Sequence, residues 1–174
     1  MFSAASSASS ANTTSSRPMA APASARRTDT YRLLTQNREQ LTSAIAGLSP
    51  DQMTSPAIDD WSIKDILTHI TSWEELLLPD IYRLARGRAA GLACNTQEAT
   101  DKWNELLMSV RRRFPLDQVL AEFTETRQAL IKALGEVPDD QFESGYIPGN
   151  CQITALHEWA HARDIRTWRD TEGV

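Results

Sequence analysis

Residues 61–78 read WSIKDILTHITSWEELLL, and this stretch decides the fold because its apolar residues recur at helical spacing. The apolar stripe consists of Ile63, Ile66, Ile70, Trp73 and Leu77. Ser62 precedes the stripe and Asp65 follows three residues later, the spacing of a capping box at the start of a helix. His69 lies on the face that carries the stripe. The stretch therefore predicts a helix that turns a histidine toward the core.

A second histidine motif, HEWAH, occupies residues 157–161, and the chain contains three histidines in all. Two histidines at i and i+4 of a helix project from one face, about 5–6 Å apart at Cβ. The predicted inward face of this helix comprises Ile153, Leu156, His157, Ala160, His161, Asp164 and Trp168. Neutral imidazole is the commonest ligand for divalent transition metals, and three protein ligands leave a position open. We therefore predict one metal site formed by His69, His157 and His161, the alternative being packed or surface histidines.

HEWAH also matches the H-E-x-x-H pattern of zinc peptidases, in which Glu158 would act as the general base. The longer peptidase motif requires Gly and His where this chain has Asp164 and Thr167. No strand is predicted nearby that could hold an extended peptide. These departures disfavour a peptidase.

The remainder of the chain also has the pattern of helices separated by Pro and Gly. Helices are predicted over about residues 29–46, 62–86, 98–113 and 116–134, and from about residue 152 onward. Pro79 predicts a kink or a break in the second helix, and Pro148 a turn before the last. Because period-two alternation is absent, we predict an all-α fold, a four-helix bundle with an additional connecting helical segment.

Composition favours a single folded domain. The chain has 174 residues, a net charge of −5 and 41% hydrophobic residues, which suits a soluble domain with a real core and no attraction to nucleic acid. The three arginines at 111–113 are interpreted as a solvated helix end rather than a phosphate-binding patch. The predicted bundle spans residues 28–170, followed by a C-terminal tail at 171–174.

Residues 1–27 are rich in Ser and Ala, with no acidic residue and no apolar run. They fit neither a secretory signal nor a membrane span, and a disordered tail on a cytoplasmic protein is predicted. The alternatives are an organelle transit peptide and an extension that precedes a true start at Met19.

Two cysteines, Cys94 and Cys151, are predicted in loops and do not make a disulfide framework. Cys151 lies close enough to HEWAH to be considered as a nucleophile. A passive, reduced loop thiol is the favoured interpretation.

The motifs together resemble the DinB superfamily. WSIKDILTHITSWEE is similar to the second-helix signature of that superfamily, and HEWAHARDI to its fourth-helix histidine pair. The resemblance implies a four-helix bundle in which His69, His157 and His161 bind a divalent metal. Trp61, Trp73 and the Trp103-Asn104 pair also resemble the ClbS/DfsB branch, which implies detoxification of a reactive small molecule.

The superfamily resemblance implies small-molecule thiol chemistry, with S-transfer as the leading hypothesis. The expected cofactor is zinc, nickel, iron or manganese, and the expected co-substrate is a low-molecular-weight thiol. A metal held by three neutral histidines keeps its charge and deprotonates a coordinating thiol. Glu158 or Asp164 would assist proton transfer, although Asp164, where many members have Gln, is equally interpretable as an orienting or surface acid.

Two rival functions remain open. The same metal could activate water, which would make the protein a hydrolase of a reactive small molecule. The protein could instead sequester a ligand without turnover, with tryptophans supplying apolar contact. In each case the expected partner is a small molecule rather than nucleic acid or membrane, and a homodimer is compatible with the sequence.

Overall fold

The computed structural model describes residues 25–91, 96–143 and 145–174. Its elements in chain order are α1 (Ala25–Ile45), α2 (Pro50–Thr54), β1 (Pro56–Ile58), β2 (Trp61–Ser62), α3 (Ile63–Ala85), α4 (Gln97–Arg111), α5 (Leu116–Gly135), α6 (Asp139–Glu143) and α7 (Tyr146–Glu172). The described part of the chain is therefore almost entirely helical, and the predicted all-α fold is confirmed.

Four long helices, α1, α3, α5 and α7, form the bundle. The principal pairs are α1 with α7 and α3 with α5, and α3 also packs on α7. α4 contacts α3 on the outside and is the predicted connecting helical segment. The two strands form a small antiparallel hairpin that the sequence pattern did not predict, and it lies directly before α3.

The start of α3 follows the predicted capping box. The Ser62 hydroxyl accepts a hydrogen bond from the Asp65 amide, and the Asp65 carboxylate accepts one from the Ser62 amide, each at 3.1 Å. Two backbone donors that have no partner within the helix are thereby satisfied. The cap fixes where α3 begins and hence where His69 lies along it.

Pro79 does not break α3, which runs unbroken from Ile63 to Ala85. Proline inside a helix costs about 3 kcal/mol because it removes one hydrogen bond and crowds the preceding turn. Leu77 and Ile81, on either side of Pro79, are buried in one apolar cluster. Packing of both flanking turns outweighs the local cost, so of the predicted kink or break, the break into two helices is wrong.

The last helix begins earlier than predicted. α7 starts at Tyr146 after Gly145, whose φ of 87° is the left-handed conformation that glycine adopts readily. Pro148 therefore lies in the first turn of the helix, where a missing N–H removes no intrahelical bond. The Pro-Gly pair that predicted a turn is compatible with helix here.

Helix extends into both segments that were predicted to be tails. α1 already includes residues 25–27, and the Arg27 guanidinium donates to the Leu134 carbonyl at 2.9 Å. α7 continues to Glu172 and ends at Gly173, with φ 70°. Residues 1–24 lie outside the described residues. In the described part of the chain, no helix is long and apolar enough to cross a membrane.

Candidate metal centre

Three histidines from two helices meet at one point. His69 lies on α3, while His157 and His161 lie one turn apart on α7. The Nε2 atom of His157 is 2.9 Å from Nε2 of His69 and 2.9 Å from Nε2 of His161. The ligand atoms of all three lie within 4.8 Å of one another. The structure thus brings together the residues predicted to form a metal site.

The donor chemistry of this cluster fits a metal ion better than hydrogen bonding. An imidazole nitrogen carries either one proton or one in-plane lone pair, so Nε2 of His157 cannot make good hydrogen bonds to both neighbours. One cation bound by all three nitrogens would use all three lone pairs. The nitrogens are close enough together to be ligands of one ion. His69, His157 and His161 would hold such an ion.

Burial keeps the three rings in the neutral form that binds metal. His69 is 7% exposed, and its pKa falls to about 3, chiefly through burial and then through the nearby His157 and His161. Burial, with a smaller contribution from His161, lowers the pKa of His157 to about 4. The pKa of His161 is also lowered by burial, and the charge of Asp164 opposes that change. All three imidazoles can therefore offer lone pairs at neutral pH.

Two tryptophans form a wall beside His69. The Trp61 ring, from the hairpin, meets the His69 ring edge to face with centroids 5.3 Å apart. The Trp73 centroid lies 6.4 Å from that of His69, and its indole N–H donates to the Asn104 side-chain oxygen on α4 at 2.9 Å. His157 and His161 are only half-buried. His69 is thus flanked by two tryptophans, while His157 and His161 keep partial solvent exposure.

Glu158 does not face the histidines. Its side chain is fully buried, with Oε1 2.8 Å from Nη2 of Arg38 and Oε2 2.9 Å from Nη2 of Arg127. Burial raises the pKa of Glu158, and the charges of Arg127 and Arg38 oppose that rise. The position gives no support to the predicted proton-transfer role, or to Glu158 as a peptidase base. The residue is engaged in the interior of the bundle.

Glu158 belongs to a group of four buried charges that we call the charge tetrad, with one member on each long helix. Its members are Arg38 on α1, Glu74 on α3, Arg127 on α5 and Glu158 on α7. Nη2 of Arg38 donates to Glu74 at 2.8 Å, and Nε of Arg127 donates to Glu74 at 2.9 Å. The sequence analysis missed this group. The sequence pattern that could have predicted it is a charged residue at helical spacing from the apolar core residues of each long helix.

Asp164 lies near the cluster but at the surface. Its side chain is 37% exposed, and Oδ1 accepts from the adjacent Arg163 guanidinium at 2.8 Å. Its charge acts on His161. The position is compatible with a residue that influences a ligand, while proton transfer by Asp164 stays a prediction.

The inward face of α7 differs from the predicted one. Ile153 and Leu156 are 68% and 55% exposed, whereas the buried positions of this helix are Ile147, Cys151, Ala155, Glu158, Ala162 and Ile165. The histidines therefore lie at the edge of the buried stripe, not at its centre. This edge position explains why they can meet both α3 and solvent.

Cys151 lies inside α7 and not in a loop. It is 1% exposed, and burial raises the pKa of its thiol to about 12. A thiol with so high a pKa supplies almost no thiolate at neutral pH. Burial thus argues against Cys151 as a nucleophile and favours the passive thiol, while Cys94 lies outside the described residues.

Arg111 is not part of a solvated helix end. Its guanidinium donates to the Ser72 hydroxyl at 2.8 Å and to Glu75 at 2.7 Å, and its side chain is only 12% exposed. These bonds tie α4 to α3. All three arginines at 111–113 were predicted to be solvated. Arg112 and Arg113 are exposed, whereas Arg111 is not.

The charge tetrad predicts a large stability effect at Glu158. Glu158→Ala leaves two buried arginines without one carboxylate partner, and we expect a loss of about 3–5 kcal/mol in unfolding free energy. The matched control Glu98→Ala removes an exposed partner of Lys102 and should cost less than about 0.5 kcal/mol. Urea denaturation of both variants measures the difference. Unchanged stability of Glu158→Ala with lost activity would instead favour a catalytic glutamate.

The lowered histidine pKa values predict acid sensitivity of the metal-free protein. Unfolded histidine titrates near 6.5, while His69 and His157 titrate near 3 and 4 when folded, so acid favours the unfolded chain, which binds more protons. The urea midpoint of chelator-treated protein should fall as pH drops from about 6.5 to 4. His69→Gln should show a shallower fall. Parallel profiles for the two proteins would contradict the assignment.

Comparisons with known proteins agree with the helical fold. A crystal structure of an uncharacterised protein from Escherichia coli UTI89 superposes with a TM-score of 0.75, covering 85% of this chain and 95% of that one, at 12% identity. That likeness shows the fold alone. No curated protein matches the chain. The family profile of the DinB superfamily, whose members bind metals, matches residues 33–165, which include all three histidines. The chain belongs to the DinB superfamily.

Proposed function

We propose that this protein is a metal-dependent enzyme that joins a low-molecular-weight thiol to an electrophilic small molecule, a detoxifying S-transferase. The observation that carries the proposal is the meeting of three neutral imidazole nitrogens at a half-open point. Neutral ligands leave the charge of a divalent cation uncompensated. When bound, such a cation supplies the positive charge that deprotonates a coordinating thiol near neutral pH.

The chain's own residues would position the reactants. Trp61 and Trp73 flank His69, and the half-buried His157 and His161 leave the cluster accessible to small molecules. A thiol RSH and an electrophile R′–X give R–S–R′ and HX, the new C–S bond forming as the bond from carbon to X breaks. The thiol proton leaves to solvent with the departing group. Of the metals expected from the sequence, zinc, nickel and iron suit three imidazole ligands, whereas manganese prefers oxygen ligands.

Several finer predictions accompany this proposal. Membership of the ClbS/DfsB branch, a cytoplasmic location and homodimer formation stay predictions. The thiol-based reaction is favoured over metal-activated hydrolysis because the superfamily resemblance implies it, while the histidine geometry supports either chemistry.

A thiol-consumption assay tests the proposal. Zinc-loaded protein is incubated with N-acetylcysteine and a panel of soft electrophiles that includes 1-chloro-2,4-dinitrobenzene, and thioether formation is followed by mass spectrometry. We expect turnover that is lost on chelation and in His161→Ala, because both remove the cation from the thiol. The exposed variant Arg32→Gln should keep full activity.

The competing functions give different results in this assay. Consumption of electrophile at an undiminished rate without thiol would replace the transferase with a hydrolase. Tight electrophile binding without turnover in either condition would indicate sequestration. Both outcomes contradict S-transfer.

A further inference from the structure

A groove of about 610 Å³ runs beside the histidine cluster, between the hairpin and α4. Trp61 forms one wall, and the other residues that line it come from α4 and the turn after it. Trp61 is also the residue that meets His69 edge to face at 5.3 Å. Asn104, on the α4 side, accepts the hydrogen bond from Trp73. The groove therefore shares its tryptophan wall with the metal centre.

The lining of the groove is polarised along α4. Met108, which is buried, and Trp61 provide apolar surface in its middle. Glu105 lies toward one end, and Arg112 and Arg113 lie at the other. A ligand in this groove would meet apolar contact along its body and positive charge at one end.

The end of the groove at Arg112 and Arg113 carries more positive than negative side chains. Asp65 lies 3.4 Å from Nε of Arg112 and 3.6 Å from Nζ of Lys64, and its other role is to cap α3. Lys64 donates to the Arg112 carbonyl at 2.5 Å, which satisfies a carbonyl at the end of α4. Arg113 makes no ion pair with any residue that the structure describes. Asp65 thus pairs with both Lys64 and Arg112 and leaves Arg113 without an ion pair among the described residues.

Arg112 is held in place yet accessible. Its side chain is 50% exposed, and its guanidinium carbon lies 6.0 Å from the Trp61 ring centroid. The contact to Asp65 is made by Nε. A guanidinium can in addition bind a carboxylate through its two terminal nitrogens. Trp61 is near both groups, since its ring centroid also lies 5.3 Å from that of His69. A small molecule that extends along Trp61 could therefore be bound at one end by the arginines and react at the other.

We propose that this groove binds the substrate of the metal centre through a carboxylate, held by Arg112 and Arg113, with an apolar body on Trp61 and Met108. The inference rests on the proposed function, and it identifies the substrate class as small organic acids. The carboxylate belongs either to the thiol or to the electrophile, and the experiment separates the two.

The first measurement is binding without chemistry. 4-Phenylbutyrate and 4-phenylbutyramide have the same apolar body and differ in charge, so their Kd ratio reports recognition of the carboxylate. Both are titrated into zinc-loaded and chelator-treated protein and followed by tryptophan fluorescence and calorimetry. We expect the acid to bind at least about tenfold more tightly, in both forms of the protein.

Variants assign the preference to the two arginines. Arg112→Gln with Arg113→Gln should remove it, while circular dichroism shows an unchanged fold because both side chains are exposed. Arg32→Gln changes the net charge by one at an exposed residue and should keep the preference. Three results overturn the inference: equal binding of acid and amide, no binding of either, or an acid preference that survives in the double variant. A preference that disappears on chelation would place the carboxylate on the metal and would also overturn it.

Turnover then identifies which reactant carries the acid. N-acetylcysteine is compared with N-acetylcysteinamide against a neutral electrophile, and 4-(bromomethyl)benzoate with 4-(bromomethyl)benzamide against 2-mercaptoethanol. In one of the two pairs, the acid should have a lower KM than the amide, and this difference should disappear in Arg112→Gln. The reactant that was varied in that pair carries the carboxylate. A binding preference with no KM preference in either pair would contradict a substrate groove. Failure of S-transfer itself leaves the binding result standing, so the two proposals are tested separately.

Discussion

Four buried charges, one from each long helix, pair at the centre of the bundle, and the rest of the structure is arranged around them. Arg38, Glu74, Arg127 and Glu158 are each less than about one-seventh exposed at the side chain. Each lies between two apolar clusters along its own helix. On α1, for example, Arg38 separates Leu34 from Leu41, which belong to different clusters. A charged layer thus divides the core into two apolar halves.

We infer that this layer sets the register of the helices, because each buried charge needs its partners at one level of the bundle. Arg38 also donates to the Phe123 carbonyl and stacks on that ring, and Arg127 donates to the Leu34 carbonyl. Sliding any helix by one turn would leave several of these groups without partners. Burial of such charges is costly, and removal of one partner costs more than the pair contributes.

The metal centre depends on the same register. Glu158 follows His157 directly in α7, and Glu74 follows His69 by five residues in α3. When the two glutamates meet the same arginines, His69 is brought opposite His157 and His161. The charge layer therefore holds α3 and α7 at the offset that lets three imidazoles meet, while the edge position of α7's histidines keeps them open to small molecules.

Local patterns predicted the helices and the histidine set, since helical periodicity and i, i+4 spacing are properties of one segment. The prediction of which side of α7 faces inward was wrong. The buried stripe of this helix consists largely of small residues, Cys151, Ala155 and Ala162, while Ile153 and Leu156 are exposed. The charge layer and the groove were missed because their members come from segments far apart in the chain. No single stretch of sequence shows that Arg38 meets Glu158.

Calorimetric titration of zinc into chelator-treated protein tests the central claim most directly. The account predicts one zinc ion bound per chain in the natural protein, and loss of most of that binding in each of His69→Ala, His157→Ala and His161→Ala, because all three contribute to one site. Substoichiometric binding in the natural protein, or binding that survives any one of these substitutions unchanged, would contradict a shared three-histidine metal centre.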